Sequence, residues 1–436
     1  MLPERAHGVY DRPTVSKPPA SDSWLRRQGK RAARSLARRM RDFGQVEPEG
    51  FDLKDVPRAD IALYFADGPP KIYQLTQWLP IFEDQTEFQT LVIVRQVEAY
   101  DALQGKTSLR VILVPRYENL MALLDRADFR AVVYVNNSWT NFQALSFQRA
   151  VHIHVNHGES DKICMVSNQA KAYDRVFVAG AAAIERHRAA LAWFDESHLV
   201  RVGRPQLDRK PPSALPQSTR KTITYAPTWE GEDEANNYSS VDRYGTAIIE
   251  AALAQPDVRV VYKPHPRVVD SDDPAIRAGH RGIVQAMKQA ISADPAAGHS
   301  LLINADILAV LPSTDLLIAD VSSVTLDHLY LNPSSPIVLT DRRSDTAALI
   351  ADAPIASAVT VIDSTNIRDV EQTLSDLLDS DSHEQERIRM RDHYFDGLES
   401  GASTSRFWQE LRRAVDEHDE ALGSLSRVRT VSEEKL

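Results

Sequence analysis

The chain has 436 residues but only one cysteine, Cys164. A single thiol cannot form a disulfide within the chain, so the sequence does not predict a disulfide-stabilised secreted fold. The N-terminal region also has no apolar stretch that ends in a small-residue cleavage site, and a signal peptide is therefore not expected. Both observations favour a cytoplasmic protein.

Long apolar runs are missing as well. No window approaches the roughly 18–20 uninterrupted apolar residues of a membrane-spanning helix, so the chain is not expected to cross a bilayer.

Beyond the N-terminus, acidic residues outnumber basic ones. Residues 1–50 contain 11 of the 51 Lys and Arg and 6 of the 61 Asp and Glu. The remaining residues therefore contain 40 basic and 55 acidic side chains. Because phosphate contacts need a basic surface, this acidic body argues against specific nucleic-acid binding.

The N-terminal region predicts a basic amphipathic helix. Residues 24–41 contain eight basic residues and no acidic one. On a helical period one apolar stripe forms, which consists of Leu25, Ala32, Leu36, Met40 and Phe43. A helix over residues 24–43 suits docking on an anionic membrane surface. The alternatives are a solvated helix packed on the body and an arm that binds nucleic acid.

The rest of the chain predicts an α/β fold. Short, nearly continuous apolar runs alternate with helical segments, as in parallel sheets covered on both faces. The predicted strands are 61–65, 91–94, 111–114, 131–135, 151–155, 176–178 and 199–202, then 222–225, 258–262, 316–319, 336–339 and 359–362. The predicted organisation is an arm (1–55), an N-terminal Rossmann-like domain (56–210), a C-terminal Rossmann-like domain (211–400), and a C-terminal helix with a polar tail (401–436). The two doubly wound domains are expected to face a central cleft.

The first motif, VHIHVNHGESDK, spans residues 151–162. His157 and Gly158 follow a predicted strand, and the glycine permits a tight turn there. A histidine at the end of a strand can accept a proton from a hydroxyl near neutral pH, and Lys162 is placed to hold a phosphate. The alternative is a structural histidine that only forms hydrogen bonds. No metal site is expected, because the HxHxxH histidines lack a supporting cluster of carboxylates or thiolates.

The second motif, VYKPHPRV, spans residues 261–268 at the end of a strand in the second half. Its cationic or donor residues, Lys263, His265 and Arg267, alternate with two prolines that keep the backbone extended and stiff. Such a cluster suits a pyrophosphate. The alternative is an exposed basic turn.

Two further segments follow strands of the second half. In TDLLIADVSSVTLDHLYL, residues 314–331, a strand runs into Asp320, and Ser322 and Ser323 open a helix. A helix N-terminus favours an anion, although an ordinary helix cap fits the pattern equally well. In TYAPTWEG, residues 224–231, Thr228 can contact phosphate and Trp229 can form a wall of the cleft, or both can simply pack in the loop.

Taken in order, these motifs resemble the CDP-glycerol glycerophosphotransferase family, which polymerises teichoic acid and related poly(polyol phosphate) chains. The resemblance covers about residues 150–340. The matching segments are His157-Gly158 to Lys162, Gly203-Arg204-Pro205, Tyr225–Trp229, Pro264–Pro266, and Asp320 to Asp327. One departure is Glu159-Ser160-Asp161, where the family usually has Thr-Pro-Leu. Two acids beside His157 are expected to face the acceptor and to keep the histidine protonated to higher pH.

The resemblance implies a GT-B-like, membrane-peripheral enzyme on the inner face of the membrane. It would transfer glycerol phosphate or a similar polyol phosphate from CDP-glycerol, or a related CDP-alcohol, to a lipid-linked or polymeric acceptor, releasing CMP without a cofactor or metal. The resemblance makes His157 the general base. It implies that the donor pyrophosphate is bound by His265, Ser322, Ser323 and Thr228, with assistance from Lys263 and Arg267. It also implies supporting or polyol-binding roles for Asp320, Asp327 and Lys162. Two alternatives are another nucleotide-sugar-dependent GT-B enzyme, such as a glycosyltransferase or a UDP-GlcNAc 2-epimerase, and a non-catalytic protein that binds membrane surfaces.

Overall fold

Residues 55–399 and 401–433 are described by the structure, a computed structural model, with side chains up to residue 425. The predicted basic helix at 24–43 lies outside these residues, so membrane docking stays a prediction. Within the described part, no helix is both long and apolar enough to span a membrane.

The first sheet contains seven parallel strands in the order β3-β2-β1-β4-β5-β6-β7. Their bounds are β1 Ile61–Phe65, β2 Thr90–Val94, β3 Arg110–Leu113, β4 Ala131–Tyr134, β5 Val151–His154, β6 Arg175–Val178 and β7 Leu199–Arg201. Every residue of β1, β2, β4 and β5 is buried. This explains why these strands appear in the sequence as continuous apolar runs rather than as alternating patterns.

The second sheet contains six parallel strands in the order β10-β9-β8-β11-β12-β13. Their bounds are β8 Lys221–Ala226, β9 Val258–Tyr262, β10 Ser300–Leu301, β11 Leu316–Asp320, β12 Ile337–Thr340 and β13 Thr360–Ile362. Every predicted strand is present within one residue of its predicted bounds. The edge strand β10 was not predicted, because two residues are too few to produce a periodic pattern.

Helices connect the strands and cover both sheets. Their bounds are α1 Tyr73–Thr76, α2 Leu79–Glu83, α3 Val97–Leu103, α4 Tyr117–Ala127, α5 Asn141–Ala144, α6 Ala181–Ala190, α7 Pro205–Asp208, α8 Gly245–Ala254, α9 Pro266–Val269, α10 Pro274–Ala293, α11 Ser323–Leu331, α12 Thr346–Asp352, α13 Val370–Asp379, α14 Glu384–Phe395 and α15 Ala402–Glu433. The last two helices return the chain across both halves. Helix α14 buries Tyr394 and Phe395 in a core of the second half, and α15 buries Phe407 and Leu411 in the core of the first.

Both sheets reverse their strand order once. In the first sheet this happens between β1 and β4, and in the second between β8 and β11. The predicted fold class, two doubly wound parallel α/β sheets, is thereby confirmed. In such sheets ligands bind beyond the carboxyl ends of the strands at the point of reversal. This rule directs attention to the loops after β1, β4, β8 and β11.

Candidate active site

Residues from both sheets meet around one aromatic ring. His157 lies three residues beyond β5, and His265 lies three residues beyond β9. The half-buried ring of Tyr73, at the start of α1, contacts both histidines edge-on, with each pair of ring centroids 5.9 Å apart. The predicted base and the predicted pyrophosphate-binding segment therefore face the same space between the two sheets.

A second contact joins the two halves. The Lys162 ammonium donates a hydrogen bond to the Thr228 hydroxyl at 2.8 Å. The backbone N–H of Thr228 in turn donates to Oδ2 of Asp320 at 2.7 Å. Asp320 also accepts from the Thr340 hydroxyl, and burial raises its pKa. Asp320 is fully buried, so it does not line the cleft. Its hydrogen bond to the Thr228 backbone stabilises the loop after β8.

The surroundings of His157 favour its neutral form. Burial and the nearby positive charge of Arg204 lower its pKa to about 4, partly offset by the Val135 carbonyl. Its Nε2 lies 3.3 Å from the amide nitrogen of Gln74. A neutral imidazole can accept a proton, but a pKa this far below neutrality makes it a weak base in the free protein.

The expectation that Glu159 and Asp161 would face the acceptor and keep His157 protonated is wrong. Both carboxylates are buried. They form ion pairs with Arg186 of α6, at 2.7 Å for Asp161, and the Tyr394 hydroxyl donates to Asp161. Burial raises the pKa of Asp161 to about 7, and the pKa of His157 is lowered rather than raised.

The second motif supplies both neutral and charged donors. Nδ1 of His265 accepts the backbone N–H of Arg267 at 3.2 Å, so the proton of the neutral ring lies on Nε2. Burial and the neighbouring cations Lys162, Lys263 and Arg267 lower the pKa of His265 to about 3. Burial also lowers the pKa of Lys263 to about 8. Its ammonium donates to the Pro264 carbonyl at 3.0 Å.

The side chain of Arg267 is partly exposed to solvent. Its guanidinium lies 4.0 Å from the centroid of the Trp229 ring and 3.1 Å from a carboxylate oxygen of Glu232. Trp229 also stacks on His265, with the ring centroids 6.1 Å apart. Trp229 therefore links Arg267 and His265 in one layer beside the cleft.

The serine pair opens helix α11 beside the histidine loop. The Ser322 hydroxyl is buried and has no hydrogen-bond partner among the described residues, and it does not cap the helix. A Cβ atom at Gly158 would lie 3.1 Å from the Cβ of Ser323, so the glycine allows the loop after β5 to approach the helix closely. An unpaired hydroxyl at a helix N-terminus is suited to bind an anion.

Asp327 lies deeper in the same helix. Its carboxylate forms a buried ion pair with Arg204, with Oδ1 3.1 Å from Nε, and both side chains are almost inaccessible to solvent. Arg204 belongs to the Gly-Arg-Pro turn after β7. The ion pair fastens this turn to α11, which places Asp327 beneath the cleft.

The sequence motifs missed part of the site at the first point of strand reversal. Asp67 lies two residues beyond β1 and Asn136 two residues beyond β4. Both are buried and contact each other, and Asn136 also contacts Gln74. The position of polar residues directly after adjacent apolar strands is a signal that would have found Asp67 and Asn136. Tyr73 and Gln74 have no comparable signal, because α1 is a single turn.

The chain matches one protein-family model. It is described as CDP-Glycerol:Poly(glycerophosphate) glycerophosphotransferase, and the match spans residues 67–410. No curated protein is significantly similar to the chain.

Solved structures share the fold. A structure of the wall teichoic acid polymerase TagF has a TM-score of 0.54 and 14% sequence identity, and the match covers 91% of this chain and 98% of that one. A TagF variant with CDPG gives a TM-score of 0.53 and 13% identity, with 91% and 99% covered. A putative UDP-N-acetylglucosamine 2-epimerase from Listeria monocytogenes gives 0.55 and 15%, with 83% and 97% covered. The GT-B-like fold is thus confirmed.

Proposed function

The chain belongs to the CDP-glycerol:poly(glycerophosphate) glycerophosphotransferase family, and on that premise we propose that it transfers glycerol phosphate from CDP-glycerol to an acceptor hydroxyl and releases CMP. A similar CDP-alcohol is an equivalent donor in this proposal, and the acceptor is a lipid-linked or cell-envelope polymer. The observation that carries the proposal is the position of His157, which shares the Tyr73 ring with His265 of the predicted pyrophosphate segment.

The proposed reaction is an in-line substitution at phosphorus. The acceptor oxygen attacks the phosphorus that bears glycerol, while its proton moves to His157. The bond from this phosphorus to the oxygen of CMP breaks, and CMP leaves with the electron pair. Such a reaction depends mainly on the positions of the reactants and on the stabilisation of charge at the phosphoryl oxygens.

The charge is stabilised, in this proposal, by donors from both halves of the cleft. His265 offers Nε2–H, and Lys263 and Lys162 add positive charge. Ser322, Ser323 and Thr228 offer hydroxyls, and α11 directs its N-terminal N–H groups to the same place. Arg267 assists through its stack on Trp229. Asp320 and Asp327 support the loops, because buried partners already engage both carboxylates.

The arm would deliver the enzyme to its acceptor. We propose that residues 24–43 dock on the anionic inner face of the membrane, because eight basic residues surround one apolar stripe. This docking would bring the cleft near an acceptor carried by a lipid.

The first experiment measures CMP release from CDP-glycerol, CDP-ribitol and UDP-sugars, with a membrane fraction as the acceptor source. We expect release from a CDP-alcohol. His157→Ala should lower the rate by about 100-fold or more, since general-base catalysis contributes that much. The donor should still raise the melting temperature of this variant by mass action.

The matched control is His383→Ala, which replaces a half-exposed histidine that precedes α14. This variant should retain the full rate. Full activity in His157→Ala would contradict the assignment of His157 as the general base. An absence of stabilisation by every CDP-alcohol would contradict the proposed donor.

A further inference from the structure

Four side chains form a hydrogen-bonded chain that ends on His157. Asn136 Nδ2 donates to Oδ2 of Asp67 at 3.1 Å and to Oε1 of Gln74 at 2.8 Å. The amide nitrogen of Gln74 then lies 3.3 Å from Nε2 of His157. Asp67, Gln74 and Asn136 are all buried, so water does not compete for these hydrogen bonds.

The orientation of the Asn136 amide is fixed from two sides. Asp67, which forms an ion pair with Lys71 at 3.3 Å, presents a carboxylate that only accepts hydrogen bonds. On the other side, the backbone N–H of Ser138 donates to Oδ1 of Asn136 at 3.2 Å. The NH₂ group of Asn136 must therefore face Asp67 and Gln74.

The orientation of the Asn136 amide determines the orientation of the Gln74 amide. Because Asn136 donates to Oε1 of Gln74, the NH₂ group of Gln74 faces Nε2 of His157 and the hydroxyl of Tyr73, each at 3.3 Å. A donor opposite Nε2 requires a lone pair on that atom. The neutral ring then carries its proton on Nδ1, which is buried and forms no hydrogen bond with the described residues.

We propose that Gln74 is a positioning residue, which Asp67 and Asn136 orient so that Nε2 of His157 keeps a free lone pair in the unliganded enzyme. The acceptor hydroxyl then replaces the Gln74 amide at this lone pair, and Nε2 receives its proton. The inference rests on the proposed function, because it takes His157 as the general base. If the Gln74 amide were turned over, its oxygen would face Nε2 and stabilise a proton there. Nε2 would then carry a proton and would have no lone pair for the acceptor hydroxyl that replaces Gln74.

The variant Gln74→Glu tests this directly. Its side chain has nearly the same shape, but a carboxylate can only accept, so it favours a proton on Nε2 and stabilises the charged ring. We expect kcat to fall at least about 10-fold, as for other bases held in the wrong tautomer, with KM for the donor unchanged. In the pH–rate profile the acid limb, near pH 4 in the wild type, should move to higher pH.

Gln74→Met is the matched control, since it keeps the length of the side chain and removes both the amide and any charge. It should lose less activity than Gln74→Glu, and its acid limb should move by less, because methionine adds no negative charge beside the ring. An acid limb that does not move in Gln74→Glu would overturn the inference.

An exchange of two residues separates positioning from packing. The double variant Asp67→Asn/Asn136→Asp restores a hydrogen bond between these positions with donor and acceptor exchanged. Position 136 then offers only carboxylate oxygens to Gln74, so the Gln74 amide must turn over. We expect stability to recover relative to Asn136→Asp alone, while kcat stays low. Recovery of kcat together with stability would show a purely structural role.

Nitrogen-15 NMR of His157 reads the tautomer without any substrate. The wild type should show an unprotonated Nε2 and a protonated Nδ1. In Gln74→Glu the proton should instead lie on Nε2, or both ring nitrogens should be protonated. If the wild type shows a protonated Nδ1 but turns over no CDP-alcohol, the result would contradict the proposed function and not the positioning role of Gln74. An active enzyme whose free form carries the proton on Nε2 would contradict the positioning role alone.

Discussion

Two sets of buried ion pairs beside the cleft join segments that are separated in sequence. Arg204 of the Gly-Arg-Pro turn binds Asp327 of α11, and Arg186 of α6 binds Glu159 and Asp161 of the loop after β5. A buried charge without a partner is strongly unfavourable. These pairs therefore fix the loops that carry His157 and the serine pair.

Asp327→Ala should lower the free energy of unfolding by about 3–5 kcal/mol, because it leaves Arg204 buried without a partner. Urea denaturation measures this change. The double variant Arg204→Met/Asp327→Leu removes both charges and should be less destabilised than Asp327→Ala. A variant Asp327→Ala with wild-type stability and no activity would instead favour contact between Asp327 and the substrate.

At the scale of elements, a close approach between two helices connects the halves. Gly180 precedes α6, and a Cβ atom there would lie 2.4 Å from the backbone oxygen of Tyr394 in α14. Only a residue without a side chain allows this approach. It also brings the Tyr394 hydroxyl to Asp161, four residues after the proposed base.

Gly180→Ala should destabilise the protein by about 1–3 kcal/mol, because the new methyl group overpacks the contact between α6 and α14. Thermal denaturation followed by circular dichroism measures this. The same substitution at Gly423, within α15, meets no atom within 4 Å and should stabilise by up to about 1 kcal/mol, since alanine favours helix. Equal effects of the two substitutions would contradict the close approach.

At the scale of the whole molecule, the C-terminal helix completes the core of the first half. Phe407 is fully buried. Its ring centroid lies 5.2 Å from that of Trp78, 5.9 Å from Phe82 and 5.7 Å from Phe177. The core of the first sheet thus includes residues that follow the second sheet in sequence. Both halves are expected to unfold together.

Phe407→Ala should cost about 3–5 kcal/mol, as for other large core side chains, and shift one cooperative transition that tryptophan fluorescence and circular dichroism both report. Leu425→Ala, at a position 62% exposed on the same helix, should change stability by no more than about 0.5 kcal/mol. Two separate transitions in Phe407→Ala would show that the halves unfold independently.

The sequence by itself determined the strands and their parallel arrangement. Strands such as Ile61–Phe65 and Val258–Tyr262 are buried on both faces, and this requirement is local and visible as an apolar run. The order of the short motifs indicated the family that the match over residues 67–410 shows. The roles assigned to His157, His265 and Ser322 stay predictions.

Only the tertiary structure decided how the polar residues are paired. Glu159 and Asp161 looked like charges that face the acceptor, but Arg186 and Tyr394, distant in sequence, bury and compensate them. In the same way, Gln74 reaches His157 across 83 positions of the chain. Hydrogen bonds and ion pairs depend on distances of a few ångströms that folding sets, and a linear pattern does not contain them.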